Sequence, residues 1–271
     1  MQLEISYRTD YAYAPAVRGG ITALRLRPIS RGDLNVQGAR LTVTPGQVTA
    51  SYVDAWGTLV DLVEAGRVHG QATFEVSATV ETRVSENDAA PSNDEAHLFA
   101  RDSSRVRIAA VAGLGWSLGG EGSSWDAIES VLRWIPQRFV FTIGATDAET
   151  EIEEAIERGV GVCQDFAHIF LALLRGWGWS ARYVSGYVFS GGKDVARIQA
   201  QAMHAWVEVY RPGSGWIGLD ATAGDYVDER YVAVGKGRDY DDVRPVRGVL
   251  IGATSQTQTS QLVIARAAQQ Q

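Results

Sequence analysis

The hydrophobic period of this chain changes once, and that change restricts its architecture more than any other feature. Along the first 85 or so positions apolar residues alternate: Leu3, Ile5 and Tyr7; Leu24 and Leu26; Leu41 and Val43; Phe74, Val76, Ala78 and Val80. Arg18-Gly19-Gly20, Thr44-Pro45-Gly46 and Ala65-Gly66 punctuate them as turns. Strands at this spacing predict a small antiparallel sandwich or open barrel. The stretch from Ser85 to Glu95 is polar and rich in breakers, and reads as a linker. Beyond it, Ser104 to Leu114 and Ser124 to Trp134 carry helical periodicity; Trp125, Ile128, Val131, Leu132 and Ile135 share one face. Phe139 to Thr142 is a short extended segment. Thr150-Glu151-Ile152-Glu153 reads as a capping box opening a helix that ends near Gly159. These boundaries divide the chain into residues 1–85, a linker at 86–98, a core at 99–250, and a strand and tail at 251–271 around Leu262-Val263-Ile264.

The second region contains the only cysteine of the 271 residues. Cys163 lies in Gly161-Val162-Cys163-Gln164-Asp165, directly before Phe166, Ala167, Phe170, Leu171 and Leu174, which recur at helical spacing. Ile169, Ala172 and Leu173 fill the opposite side, so a nearly enclosed helix is expected, stopped by Gly176 and Gly178. A thiol in the first turn meets unpaired N–H groups and the positive end of the helix dipole, both of which favour thiolate. The same N–H groups suit a developing oxyanion, and Gly159 and Gly161 allow close approach of an acyl group.

Two further residues complete a set. Met203 to Tyr210 alternates, with His204, Trp206, Glu208 and Tyr210 on one face. Arg211 to Gly215 is a turn, and Trp216 to Asp220 the return strand. If Tyr210 faces Trp216, His204 and Asp220 are diagonal neighbours roughly 7–8 Å apart at the backbone. A one-residue slip would put them on opposite faces. Taken singly, each has an ordinary structural reading: a buried cysteine, an edge-of-core histidine, a strand-end aspartate. Taken together, they supply a nucleophile, a general base that can return its proton to a leaving amine, and a carboxylate that orients the base.

At these residues the chain resembles the transglutaminase-like superfamily in its bacterial form. The resemblance rests on Gly161 to Val188, on His204 to Tyr210 (HAWVEVY) and on Gly215 to Thr222 (GWIGLDAT). Phe141 to Thr146, Gly237 to Gly248, and the N-terminal segments Tyr11 to Val17 and Leu24 to Pro28 add to it. It implies an α+β chain: an N-terminal antiparallel β-sandwich domain, then a papain-like core whose cysteine helix packs on an antiparallel sheet bearing the histidine and aspartate. It also implies thioester chemistry, in which Cys163 attacks a carboxamide and expels an amine, and water or a second amine resolves the acyl-enzyme. Relatives often carry Pro where this chain has Ala221, and Ser or Thr where it has Met203. The first change is expected to loosen the end of the aspartate strand, the second to alter the pocket wall.

Nearby residues have simpler roles available. The backbone N–H of Gln164 is a candidate oxyanion donor, and Tyr187 and Trp206 are candidate pocket residues, with core packing as good an account of either. His168 falls roughly 140° around the helix from Cys163 and reads as a packing residue. Asp165 reads as a first-turn charge matched to the dipole. Asp239, Asp241 and Asp242 read as a solvated acidic turn, because they lack EF-hand spacing.

Composition narrows the partners. A net charge of −7, from 25 basic and 32 acidic residues, argues against nucleic acid or an anionic membrane. No apolar run is long enough to span a bilayer, and Met1 to Arg8 does not resemble a secretory leader. One cysteine forms no internal disulfide, so a cytoplasmic setting is expected. No cofactor or metal is expected. The expected function is a cysteine-dependent amide-bond hydrolase acting on a peptide or protein, a peptidase or isopeptidase. Acyl transfer from a glutamine carboxamide to an amine is the alternative, and a catalytically silent binding scaffold the second. Oligomeric state is not legible.

Overall fold

The structure is a computed structural model that describes residues 1–66, 68–83, 90–116, 124–191 and 203–267. The alternation of the first region becomes six strands: β1 (Gln2–Val17), β2 (Gly19–Leu24), β3 (Leu34–Thr44), β4 (Gln47–Val53), β5 (Leu59–Glu64) and β6 (His69–Thr82). In β1, Leu3, Ile5 and Tyr7 are buried while Glu4, Ser6 and Arg8 are exposed, the period of a half-buried strand. These strands belong to two sheets. Both are completed from the far end of the chain, by β14 (Val246–Ile251) and β15 (Ser255–Arg266). The sheet orders are β15-β1-β6-β3 and β14-β2-β5-β4. Leu3, Ile5, Tyr7, Phe74 and Val76 of one sheet share a core with Leu24 and Val63 of the other, so the region is a sandwich. Val246–Ile251, placed by sequence inside the core region, therefore pairs with β2 of the sandwich.

Residues 86–89 of the expected linker lie outside the described residues. The rest of it includes α1 (Asn93–Leu98), which opens on a capping box between Ser92 and Glu95. The expected helix from Ser104 begins later, as a 3₁₀ turn over Ile108–Leu114. Ser104 and Arg105 are held elsewhere: the Ser104 hydroxyl and the Arg105 N–H both donate to Asp239, at 3.0 and 2.9 Å. This also corrects the reading of the acidic turn. Asp239 is buried and caps α5 (Tyr240–Val243), Asp241 pairs with Arg105 and Arg244, and Asp242 pairs with Arg238. The acids form an ion-paired clasp rather than a solvated loop.

Helix α2 (Trp125–Arg138) starts where Ser124 accepts the Ala127 N–H, and buries Ile128, Val131, Leu132 and Ile135. The extended segment becomes β7 (Val140–Phe141), parallel to β8 (Val160–Gly161). Between them lies α3 (Ile152–Arg158), ended by Gly159 at φ 65°. Its expected capping box is absent: the Thr150 hydroxyl bonds to Asp147 instead, and Glu151 is the N-cap.

Helix α4 (Cys163–Gly176) is buried on nearly every side from Asp165 to Arg175. Each Leu or Phe enclosed there contributes about 1.5–3 kcal/mol of burial. The helix packs on an antiparallel sheet of order β12-β11-β10-β9-β13. Its strands are β9 (Ala181–Val188), β10 (His204–Arg211), β11 (Gly215–Asp220), β12 (Asp225–Tyr226) and β13 (Tyr231–Gly237). Ala205, Val207 and Val209 of β10 face α4. Tyr187, Val232 and Val234 join the sandwich core, so one seam of apolar side chains ties the sheet to the first region. Among the described residues, no helix is long and apolar enough to cross a membrane.

Candidate active site

Three elements converge at the N-terminus of α4. Chain direction places Cys163 in the first turn, where the leading N–H groups have no intrahelical acceptor. Asp165 satisfies two donors of this region: its Oδ2 accepts the Val162 N–H at 2.7 Å and the Thr146 hydroxyl at 2.6 Å. A Cβ on Gly161 would meet the Asp165 carboxyl at 2.9 Å, so glycine is what lets this turn close. Asp165 is buried, and burial pushes its carboxyl up against those two hydrogen bonds. It buttresses the loop rather than serving only as a surface charge at the helix dipole.

The β10–β11 hairpin has the register in which Tyr210 faces Trp216 and Val207 faces Leu219. His204 and Asp220 therefore lie diagonally on one face. The His204 Nε2 stands 2.8 Å from Asp220 Oδ2. That leaves Nδ1 uncommitted to the carboxylate, and the Cys163 sulfur is near enough to the ring to raise its basicity. Cys163 itself is half-buried.

Asp220 is fully enclosed, and its acceptor capacity is well used. Oδ1 takes the Thr222 N–H at 2.8 Å and the Ala223 N–H at 3.3 Å. Oδ2 takes the Tyr231 hydroxyl at 2.8 Å besides the imidazole. Burial works against its charge, yet His204, Tyr231 and the Thr222 N–H hold its pKa below the ordinary carboxylate value. Burial likewise opposes a charged His204, but the Asp220 carboxylate and then the Cys163 sulfur outweigh it and raise the ring to about 10. The arrangement favours an imidazolium held between sulfur and carboxylate.

After Ala221, the Thr222 and Ala223 N–H groups both bind Asp220. Met203 packs at the seam with the sandwich. Trp206 lies beside the catalytic candidates, its ring stacked near His204 at 6.3 Å and edge-on to Tyr231 at 5.3 Å. Of the two roles open to Tyr187, pocket wall and core packing, the structure has the packing one. Tyr187 is fully buried in the seam, donates its hydroxyl to Leu26 O at 2.7 Å and packs on Tyr7. The Gln164 side chain reaches the Ala148 carbonyl at 3.4 Å, which leaves its backbone N–H as its contribution at the helix start. His168 is buried, accepts the Tyr240 N–H through Nε2, and burial lowers it to about 4. It stays neutral and structural. Among the described residues, no group of three or more His, Cys, Asp or Glu is placed to hold a metal ion.

Sequence reasoning missed Tyr231. Strands β9 and β10 separate its strand from that of Asp220, so no local spacing relates the two. The one available signal was Gly186, a glycine inside a strand pattern opposite His204.

Residues 116–221 match the model of the transglutaminase-like superfamily, and residues 3–81 match the bacterial transglutaminase-like N-terminal region. An uncharacterized protein of Mycobacterium leprae is 29% identical over 266 residues, 93% of this chain and 94% of its own. One from Mycobacterium bovis is 44% identical over 119 residues, covering 41% of this chain and 38% of that protein. A crystal structure of a candidate cysteine protease from Cytophaga hutchinsonii superposes with a TM-score of 0.80 at 20% identity, covering 100% of this chain and 92% of that one. That likeness is one of fold. The chain, a bacterial-type β-sandwich followed by a cysteine-helix core, belongs to the transglutaminase-like superfamily.

Proposed function

We propose that this protein is a cysteine-dependent amide-bond hydrolase, a peptidase or isopeptidase, acting through Cys163, His204 and Asp220. The observation that carries the reading is the buried 2.8 Å contact between His204 Nε2 and Asp220, with Cys163 opening a helix and its sulfur acting on the same ring. The substrate is a peptide or protein amide. The Cys163 thiolate adds to the carbonyl carbon, and the first-turn N–H of Gln164 donates to the resulting oxyanion. The C–N bond breaks as the His204 imidazolium gives its proton to the departing amine, leaving a thioester. His204 then takes a proton from water, the water oxygen adds to the thioester carbonyl, and the thiolate leaves with the acid released. Asp220 holds the ring and its charge through both steps. The proposed nucleophile is the chain's one cysteine, and a free thiol persists best in a reducing compartment, which supports a cytoplasmic setting.

The test is a screen of acyl-amide peptides, glutamine peptides included, read by mass spectrometry for a thioester on Cys163 and for the released product. Acid and ammonia or amine, absent with Cys163→Ala, is the expected result. Conversion of a labelled primary amine into an amide product would replace hydrolysis with acyl transfer. Normal turnover by Cys163→Ala would overturn the mechanism. A wild-type thiol that alkylates no faster than free cysteine at pH 6 would favour a binding scaffold.

A further inference from the structure

The hydroxyl of Tyr231 is 2.8 Å from Asp220 Oδ2, the same oxygen that meets His204. Tyr231 comes from β13, at the far side of the sheet, and reaches Asp220 past two intervening strands. Trp206 packs edge-on to its ring, and the glycine at 186 makes room for that indole. Tyr231 is itself buried. The backbone that carries it is gripped by the sandwich at three places. The Thr82 hydroxyl donates to Glu229 O, two residues before Tyr231. The Arg31 guanidinium donates to Ala233 O and Val234 O, at 3.0 and 3.1 Å, where β13 bulges. Thr58 accepts the Lys236 N–H at 3.1 Å.

We infer that Tyr231 is a positioning residue for the triad: its hydroxyl holds the Asp220 carboxylate in line with His204, and the sandwich sets where that hydroxyl stands. A carboxylate at a strand end has a free χ2, and two N–H groups restrain only Oδ1. Without the phenol, Oδ2 is tied by the imidazole alone. The sandwich thereby becomes part of the catalytic architecture through a single hydrogen bond at the end of β13. The inference rests on the proposed hydrolase reading, because it assigns Tyr231 to the same triad.

The test uses the full chain and needs no substrate. Alkylation of Cys163 by iodoacetate is followed by mass spectrometry from pH 4 to pH 11. An anionic reagent reacts fastest with a thiolate beside an imidazolium, so the rate falls as the imidazolium deprotonates. The charged or titratable groups around that ring are Cys163 from α4, Asp220 from β11 and Tyr231 from β13. Around Tyr231, Arg230 and Asp228 pair with each other. Tyr231→Phe keeps the ring against Trp206 and removes only the hydroxyl. If the hydroxyl positions Asp220, the carboxylate loses alignment and the alkaline limb moves down by about one pH unit, the scale of one hydrogen bond to a charged group. An unchanged limb would make Tyr231 a packing residue and overturn the inference. A limb moved up would mean the hydroxyl only drains charge from a well-held carboxylate, and would overturn it too. Thr82→Val, which alters no group of the triad, is expected to move the limb the same way by a smaller step; no movement overturns the part assigned to the sandwich. A wild-type protein with no alkaline limb would overturn the hydrolase reading, and this inference with it. A normal wild-type limb that Tyr231→Phe leaves in place overturns this inference alone. Thermal unfolding of each variant separates loss of alignment from loss of fold.

Discussion

Gly186 lies directly beneath the indole of Trp206: a Cβ built at 186 would stand 2.6 Å from Trp206 Cη2 and 2.2 Å from Val232 O. The second distance is to backbone, which cannot swing aside. The same glycine pairs with His204 across β9 and β10. Gly186→Ala should therefore push β13 from β9 and tilt the indole that borders His204. Overpacking of this kind costs about 1–3 kcal/mol. A fall in Tm of several degrees is expected, with slower alkylation of Cys163 at pH 6. Unchanged Tm and reactivity would show that the strands part without cost.

Asp220→Asn keeps an acceptor for the Thr222 and Ala223 N–H groups but removes the charge facing His204. Burial, the larger influence on the ring, then goes unopposed by the carboxylate, and the imidazolium is lost at lower pH. Amide hydrolysis should drop by a factor on the order of 10⁴ in kcat, as expected for a base left without its orienting carboxylate. The fold should survive, as judged by circular dichroism. The iodoacetate profile should lose its alkaline plateau.

Stability should peak near pH 6.5, because two buried histidines act in opposite directions. His204 is raised from 6.5 to about 10 in the folded state. Its contribution is complete below pH 6.5 and is lost as pH climbs toward 10. His168 is lowered to about 4, so the unfolded chain binds the proton first. Its contribution is complete above pH 6.5 and is lost as pH drops toward 4. Urea midpoints at pH 4.5, 6.5 and 8.5 test this. His204→Ala should flatten the alkaline decline and leave the acid one.

Removal of residues 255–271 should weaken the sandwich rather than trim a tail. β15 pairs with β1 from Leu3↔Arg266 to Ala14↔Ser255, and Leu262 and Ile264 pack on its core. Its loss exposes a long strand edge and two apolar side chains, about 3 kcal/mol in all. Tm should fall by roughly 5–10 °C, and sedimentation should show self-association through the bared edge. A truncated chain that remains monomeric with unchanged Tm would make β15 dispensable.

Much of the site was readable because its determinants are local. The buried face of α4 follows from spacing within one helix, and the His204–Asp220 diagonal from a five-residue turn that sets the hairpin register. The acidic turn escapes a linear reading for the opposite reason. Asp239 accepts hydrogen bonds from Ser104 and the Arg105 N–H, and Asp241 pairs with the Arg105 guanidinium, more than a hundred residues earlier in the chain. The sequence leaves Tyr187 open between pocket wall and core packing, because nothing in β9 announces that the sandwich covers it.

The amino-acid order alone settled the two-part architecture, the placement of Cys163 at a helix start and the face shared by His204 and Asp220. Periodicity and turn chemistry act over a few residues, within reach of a linear reading. Only the tertiary structure decided that Val246–Ile251 and Ser255–Arg266 return to the sandwich, and that Tyr231 reaches Asp220. Strand order in a sheet is chosen by which apolar faces bury together across the whole chain, and that choice leaves no mark at short spacing.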